Sequence, residues 1–162
     1  MSKEREFKVD DQTYRASRIS VFDQLNVASQ WREALMGLAM AKKNRPPEMG
    51  DAAFRETVAI VLTGALARVE TSRREEVTQL LVSAVKRKGK GGKTGVGWFS
   101  VAAPGGAAAF DDVQLPQLVS ILYEVLDHNG LLDFFSVGPS ASEEKPTEEE
   151  TDGRDSPEGR TG

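Results

Sequence analysis

The chain has 162 residues, a formal net charge of −4, one histidine (His128) and no cysteine. Hydrophobic residues make up 39% of it, below the ~45–50% usual for globular domains, a figure that also counts glycine. This composition excludes disulfides, thiolate nucleophiles, cysteine-based zinc sites and two-histidine metal motifs.

The acidic charge is concentrated at one end of the chain. Residues 136–162 hold eight acidic and three basic residues, a net charge of −5, whereas the other 135 residues hold 17 acidic and 18 basic ones, a net charge of +1. Such a polar segment buries too little apolar surface to offset the entropy lost on ordering. We therefore predict a near-neutral folded domain over residues 1–135 and a disordered acidic tail over residues 136–162, which serves either solubility or recognition.

Neither a signal peptide nor a membrane span is predicted. Residues 1–10 are charged and lack an apolar core segment. The most apolar stretch, Val58–Ala67, is about half the ~20 residues that a spanning helix needs. Together with the lack of cysteine, this favours a cytoplasmic location.

The first predicted elements are a hairpin and a helix. Residues Phe7–Ile19 alternate weakly around a turn at Asp10 and Asp11, which predicts two strands that must pack on something else. Ser20 is the expected N-cap of a helix over Ser20–Met40. Apolar residues at spacings of three and four predict one buried stripe on that helix, formed by Phe22, Leu25, Ala28, Trp31, Leu35 and Leu38.

Two further helices are predicted in the middle of the chain. The first, over Asp51–Val69, is the most hydrophobic and is expected at the centre of the fold, with Gly64 at a close helix contact. The second, over Ser72–Lys86, begins with a capping box formed by Ser72 and Glu75 and ends on basic residues.

The last part of the domain mixes loop and helix. The predicted segments are a glycine-rich loop (Gly89–Gly97), an extended segment (Trp98–Ala103), a turn (Pro104–Ala109), a helix with Pro116 in its first turn that ends at Asn129 and Gly130, and a short helical turn (Leu131–Phe135). The predicted fold is therefore mainly α: a small helical domain with an N-terminal β-hairpin and a disordered acidic C-terminal tail.

The glycine-rich region carries five basic residues, Lys86, Arg87, Lys88, Lys90 and Lys93. Gly92-Lys93-Thr94 matches half of a P-loop, but Arg87 stands where the first glycine is needed, so a nucleotide site is not favoured. The cluster can bind phosphate backbones, although it contains no aromatic residue for stacking. A solvated surface loop and a contact with the acidic tail or a partner are the alternatives.

We find no catalytic or metal-binding pattern. His128 lies beside Asp127 near a helix end, where a histidine also suits the helix dipole, and no nucleophile motif accompanies it. The acidic run Glu148–Glu150 and the pair Asp111-Asp112 lack the spacing of a calcium loop, and one aspartate of that pair is expected at a helix N-terminus. We expect no cofactor, no metal and no enzymatic activity.

Aromatic residues are the remaining candidates for a function. Their default role is in the core, but the LLDFF segment leads directly into the predicted tail, and exposed apolar residues mark binding surfaces. The candidate partner-binding residues are Trp31, Trp98, Phe99, Phe134 and Phe135.

Two groups of residues connect these segments to a known family. The hairpin and first helix supply Phe7, Val9, Tyr14, Arg15, Phe22, Asp23 and Gln24, and the end of the domain supplies Phe110, Asp111, Asp112, Leu115, Asn129, Phe134 and Phe135. This order, over residues 7–135, resembles the tail assembly chaperones of tailed bacteriophages. Phe99-Ser100 after Trp98 departs from the family pattern.

The resemblance implies a non-enzymatic protein of the host cytoplasm. Such a protein binds the tape measure protein, keeps that long hydrophobic chain soluble, helps recruit tail tube subunits and is absent from the mature virion. The alternatives are another phage structural or adaptor protein, a small regulatory module, and a nucleic-acid-binding module that uses residues 86–93.

Overall fold

Four strands form one antiparallel sheet in the order β1-β2-β3-β4. They are β1 (Glu4–Val9), β2 (Gln12–Ser17), β3 (Val85–Gly89) and β4 (Gly97–Ser100). The sheet belongs to a computed structural model of the chain, which describes residues 3–89, 97–102 and 112–136. The predicted hairpin is confirmed, and its turn contains Asp10 at φ 56, a backbone conformation that aspartate tolerates better than most residues.

The sheet is larger than the sequence analysis predicts. The helix expected to run to Lys86 ends earlier, and Val85–Gly89 forms a strand instead. Val85 pairs with Ala16, and the backbone N–H of Ser17 donates to the carbonyl of Ala84 at 2.9 Å. The prediction is wrong here because a few alternating residues fit either a helix or a strand, and only distant partners decide between them.

The first predicted helix is two helices, α1 (Val21–Gln30) and α2 (Arg32–Lys43), which are separated at Trp31. Ser20 is the N-cap as predicted, since its hydroxyl accepts a hydrogen bond from the Asp23 backbone N–H at 3.1 Å. The predicted buried stripe is wrong at one end. Phe22 and Leu25 are exposed, whereas Leu35 and Leu38 lie in the core.

The next two helices are α3 (Asp51–Leu66) and α4 (Thr71–Val82). Gly64 does not make the expected close contact, because nothing lies within 4 Å of where its Cβ would be. The close contact involves Gly37 of α2, where a Cβ would lie 2.9 Å from Cγ1 of Val61 on α3. The N-cap of α4 is Glu70 rather than Ser72, and it makes no side-chain capping bond.

The central helix is α5 (Leu115–His128) and not α3 as expected, since α5 packs against β1, β2, α3 and α4. Pro116 lies in its first turn, and Asn129 caps its end before Gly130 at φ +74, both as predicted. A further helix, α6, covers residues 131–136. The fold is mainly helical with a substantial sheet. No helix within the described ranges is both long and apolar enough to cross a bilayer.

Several predictions fall where the structure gives no description. They concern the acidic tail beyond residue 136, the turn over Pro104–Ala109, and most of the glycine-rich loop with Lys90 and Lys93. These remain predictions.

Candidate partner-binding surfaces

Three apolar side chains lie exposed together on α1. Val21, Phe22 and Leu25 are 74%, 83% and 67% exposed. Leu25 follows Phe22 by three residues and Val21 by four, so all three lie on one face of the helix. We call them the α1 patch. A cluster of large exposed apolar side chains is typical of a protein-binding surface.

The α1 patch is held by a buried amide at the end of α5. Asn129 is only 3% exposed, and its Oδ1 accepts from the backbone N–H of Ile19 at 2.9 Å. Its Nδ2 donates to the carbonyls of Ser17 at 3.3 Å and Val125 at 2.9 Å. Gln24 donates to the Ile19 carbonyl at 3.0 Å. The start of α1 is therefore fixed to the core, and the patch is preorganised.

Sequence reasoning missed the α1 patch, although the signal was present. A helix turns by about 100° per residue, so Phe22 lies roughly 180° around the axis from Trp31. The two residues cannot belong to the same buried stripe of one straight helix. In the structure the ring of Trp31 is fully buried, and Phe22, on the opposite side, faces solvent.

A second apolar surface is a groove of about 660 Å³ between α3, α4 and α5. Its floor is aliphatic and its rim is polar, so it has the character of a shallow contact surface. The lining includes Leu62, Leu66, Leu118, Leu122, Arg74 and Gln79. Leu115 at its edge is exposed.

The aromatic candidates do not form one site. Trp31, expected as a candidate partner contact, lies fully in the core at the α1–α2 break instead, so its ring is not available to a partner in this fold. Its indole N–H has no hydrogen-bond partner among the residues that the structure describes. Phe134 on α6 is 70% exposed and meets the ring of Phe135 edge-on at 5.1 Å. Arg32 lies 5.8 Å from the Phe135 ring.

The two aromatic residues of β4 lie on opposite faces of the sheet. Phe99 is on the face that carries Tyr14 and Arg87, and it packs over Gly89 and Gly97. Trp98 is on the other face, where the guanidinium of Arg15 stacks 4.0 Å from the centre of its ring.

The basic residues of β3 also lie on opposite faces of the sheet. Lys86 and Lys88 are exposed, whereas Arg87 turns inward and forms two bonds to Asp112, at 2.6 and 2.9 Å. The hydrogen bond from Arg87 lowers the pKa of Asp112. One aspartate of the pair Asp111-Asp112 was expected at a helix N-terminus. Asp112 precedes the N-cap Gln114 and anchors β3 instead, and Asp111 lies outside the described residues.

An ionic cluster joins β1, α2, α5 and α6. Asp127 accepts from Arg5 at 3.0 Å and from Lys42 at 2.6 Å, and Lys42 also reaches Asp133 at 3.3 Å. Glu124 lies 3.5 Å from Arg5, and burial raises its pKa. Because each acid of this cluster faces a base, its contacts serve to hold the four elements together.

His128 is buried beside this cluster, and its Nε2 lies 3.3 Å from the carbonyl oxygen of Lys3. Burial raises the pKa of Tyr123 to about 12. In the part of the chain that the structure describes, no group of three or more acidic or histidine side chains could hold a metal ion.

Comparison with known protein families gives a match over most of the chain. A family model described as phage tail assembly chaperone protein, TAC, matches residues 10–142. Neither a curated protein nor a solved structure matches the chain. The matched range contains α1 to α6 and three of the four strands in full.

Proposed function

Because this chain belongs to the phage tail assembly chaperone family, we propose that it binds the tape measure protein of its phage through the α1 patch. The observation that carries the proposal is the exposure of Val21, Phe22 and Leu25 on a helix that is fixed to the core. A tape measure protein presents long apolar stretches before the tail is built, and such stretches are ligands for an apolar surface.

The size of the α1 patch indicates weak and reversible binding. Full burial of a valine, leucine or phenylalanine side chain contributes about 1.5–3 kcal/mol each. Three such side chains give at most roughly 5–9 kcal/mol, which falls within the estimated 4–15 kcal/mol that association costs and leaves little net binding energy. Several copies spread along one long client would therefore hold it collectively. A chaperone that must be released benefits from this weakness.

The exposed ring of Phe134 on α6 is our candidate for a second contact. With the client held, the protein helps to bring tail tube subunits to it and then leaves, so that it is absent from the mature virion. These steps take place in the host cytoplasm. They require binding surfaces rather than catalytic residues, so we propose that the protein is not an enzyme.

Co-expression with the tape measure protein tests the proposal. We expect the wild-type chain to raise the soluble fraction of the client severalfold, and the Phe22→Ser/Leu25→Ser double variant to lose most of that effect. The matched control is Met40→Ser/Ile60→Ser, which also removes two exposed apolar side chains, from α2 and α3. Equal client solubility with and without the wild-type chain would contradict the chaperone function. Equal losses in both double variants would contradict the assignment to the α1 patch.

A further inference from the structure

The face of the sheet turned away from α5 carries an uneven distribution of charge. Cross-strand partners share a face, and one row across this outer sheet face runs Glu6, Arg15, Lys86 and Ser100. In the neighbouring row, Lys8 pairs with Thr13, and Lys88 stands opposite Trp98. The outer sheet face therefore becomes more basic from β1 toward β3.

The carboxylates on this face are already paired. Arg15 lies 3.5 Å from Glu4 and 3.7 Å from Glu6, so the two carboxylates of β1 share one guanidinium, and Lys8 on the same face of β1 carries a second positive charge. Lys86 and Lys88 are exposed, and neither forms an ion pair within the described part of the chain. Two uncompensated cations thus point into solvent from one short strand.

An aromatic platform lies between the two lysines. Arg15 on β2 reaches across β3 to stack on Trp98 of β4, with its guanidinium 4.0 Å from the ring centre. Arg15 pairs with Lys86, and Trp98 pairs with Lys88, so the stacked pair crosses β3 between the lysines. Together, the side chains offer a flat surface with two ammonium groups at its edges, which suits an extended acidic peptide.

We propose that the outer sheet face binds the acidic tail of the same chain, through residues 143–150. This segment reads EEKPTEEE and has five glutamates and one lysine. Its charge is opposite to that of Lys86 and Lys88, whereas the domain as a whole is nearly neutral. The complementarity is therefore local, between one segment and one strand.

The tail is long enough to reach the outer sheet face. The last described residue is Ser136, and an extended chain spans about 3.3–3.6 Å per residue. Glu143 can therefore lie up to roughly 25 Å from Ser136 and Glu150 up to roughly 50 Å, compared with a radius of gyration of about 14 Å for a domain of this size. Exposed ion pairs are individually weak, but a tethered segment has an effective concentration in the millimolar range.

Binding of the tail would make the outer sheet face a regulated surface. The tail covers Trp98 and the two lysines, so any other anionic ligand, including nucleic acid, must displace it first. High salt weakens such contacts because it screens exposed charges.

A spin label in the tail tests this proposal on the full chain. The chain has no cysteine, so Thr151→Cys provides a unique attachment point. At low salt we expect paramagnetic broadening of the Lys86 and Lys88 amides and of the Trp98 indole N–H. In about 0.5 M NaCl, where the Debye length is only roughly 4 Å, the broadening should fall about threefold or more.

Two charge-reversal variants distinguish a specific contact between the tail and the lysines of β3 from a nonspecific electrostatic attraction between the tail and the domain. Lys88→Glu should reduce the broadening at β3 and β4 about twofold or more, whereas Lys43→Glu, an exposed lysine of α2, should leave it unchanged. Both changes alter the net charge equally. Overlaid amide spectra check that each variant folds.

Three results would overturn the proposal. The first is broadening that is uniform over the domain or unchanged by Lys88→Glu. The second is broadening that arises only between molecules, detected by mixing spin-labelled chains with unlabelled, isotope-enriched ones. The third is an outer sheet face that shows no broadening from the tail label but whose Lys86, Lys88 and Trp98 signals shift when single-stranded oligothymidylate is added. That result would make the outer sheet face a nucleic-acid-binding surface.

Discussion

At the scale of single residues, two helical glycines have opposite surroundings. A Cβ at Gly37 would lie 2.9 Å from Cγ1 of Val61, whereas nothing lies within 4 Å of a Cβ at Gly64. Valine is stiff about its only side-chain torsion, so the neighbour of Gly37 cannot move away easily. The α2–α3 contact therefore depends on the absence of a side chain at Gly37.

This difference predicts opposite effects of the same substitution. Gly37→Ala should lower the free energy of unfolding by about 1–3 kcal/mol, because overpacking outweighs the better helix propensity of alanine. Gly64→Ala, the matched control, should raise it by up to about 1 kcal/mol. Urea-induced unfolding measures both values. Equal shifts for the two variants would show that α2 and α3 do not approach closely at Gly37.

The raised pKa of Glu124 leads us to predict that the stability of the fold depends on pH. Burial raises the pKa of its carboxyl group, so the folded state binds a proton more readily than the unfolded state does. The corresponding stabilisation is complete below the unfolded pKa of about 4.3 and is lost as the pH rises through the folded pKa. Relative to Glu124→Gln, the wild type should therefore become less stable between about pH 4 and neutrality. Thermal unfolding across this range measures the difference, and parallel curves would contradict the prediction.

At the scale of helices and strands, the correct predictions rest on local signals. Ser20, Pro116 and Gly130 each mark a helix end through atoms only a few residues away. The strand β3 has no such signal, because Arg87 pairs with Tyr14 more than seventy residues earlier. The break at Trp31 is also unmarked, with neither proline nor glycine at the bend.

The candidate surfaces were predictable only in part for the same reason. Residue type identifies an aromatic side chain but not its exposure, which depends on the packing of distant elements. Phe134 lies at the surface and Trp31 lies in the core, although the sequence favoured both equally. Lys86, Arg87 and Lys88 alternate between the two faces of the sheet, and this could be recognised only once Val85–Gly89 was known to be a strand.

The connection between the hairpin and α5 gives a prediction at this scale. Asn129→Ala removes the acceptor of the Ile19 N–H and the donor to the Ser17 carbonyl. Leaving such groups unpaired costs about 1–3 kcal/mol each, so we expect a loss of roughly 2–6 kcal/mol in unfolding free energy. The exposed Asn44, at the end of α2, is the control, and Asn44→Ala should change stability little. A small effect at Asn129 would mean that α1 is not fixed through this amide.

At the scale of the whole molecule, the fold separates the residues that hold it together from those that can meet a partner. The core is continuous from the sheet through α5 to α2, α3 and α4. The α1 patch lies outside that core. A protein of the phage tail assembly chaperone family can therefore present apolar side chains to tail proteins without weakening its own fold.

This separation predicts that binding and stability respond independently. Phe22→Ser/Leu25→Ser should change the free energy of unfolding by no more than about 0.5 kcal/mol per site, as usual for exposed positions, while client binding is lost. Chemical unfolding of the isolated variant measures the first quantity. A strongly destabilised variant would place these side chains in the core and remove the basis for the α1 patch.

Hydrogen exchange on the complex with the tape measure protein tests the central claim most directly. The account predicts that amides of α1, residues 21–30, exchange more slowly in the complex than in the free chain, while amides around Ile60 on α3 exchange at the same rate in both. A complex that forms without any added protection of α1 would contradict the claim that the α1 patch is the chaperone surface.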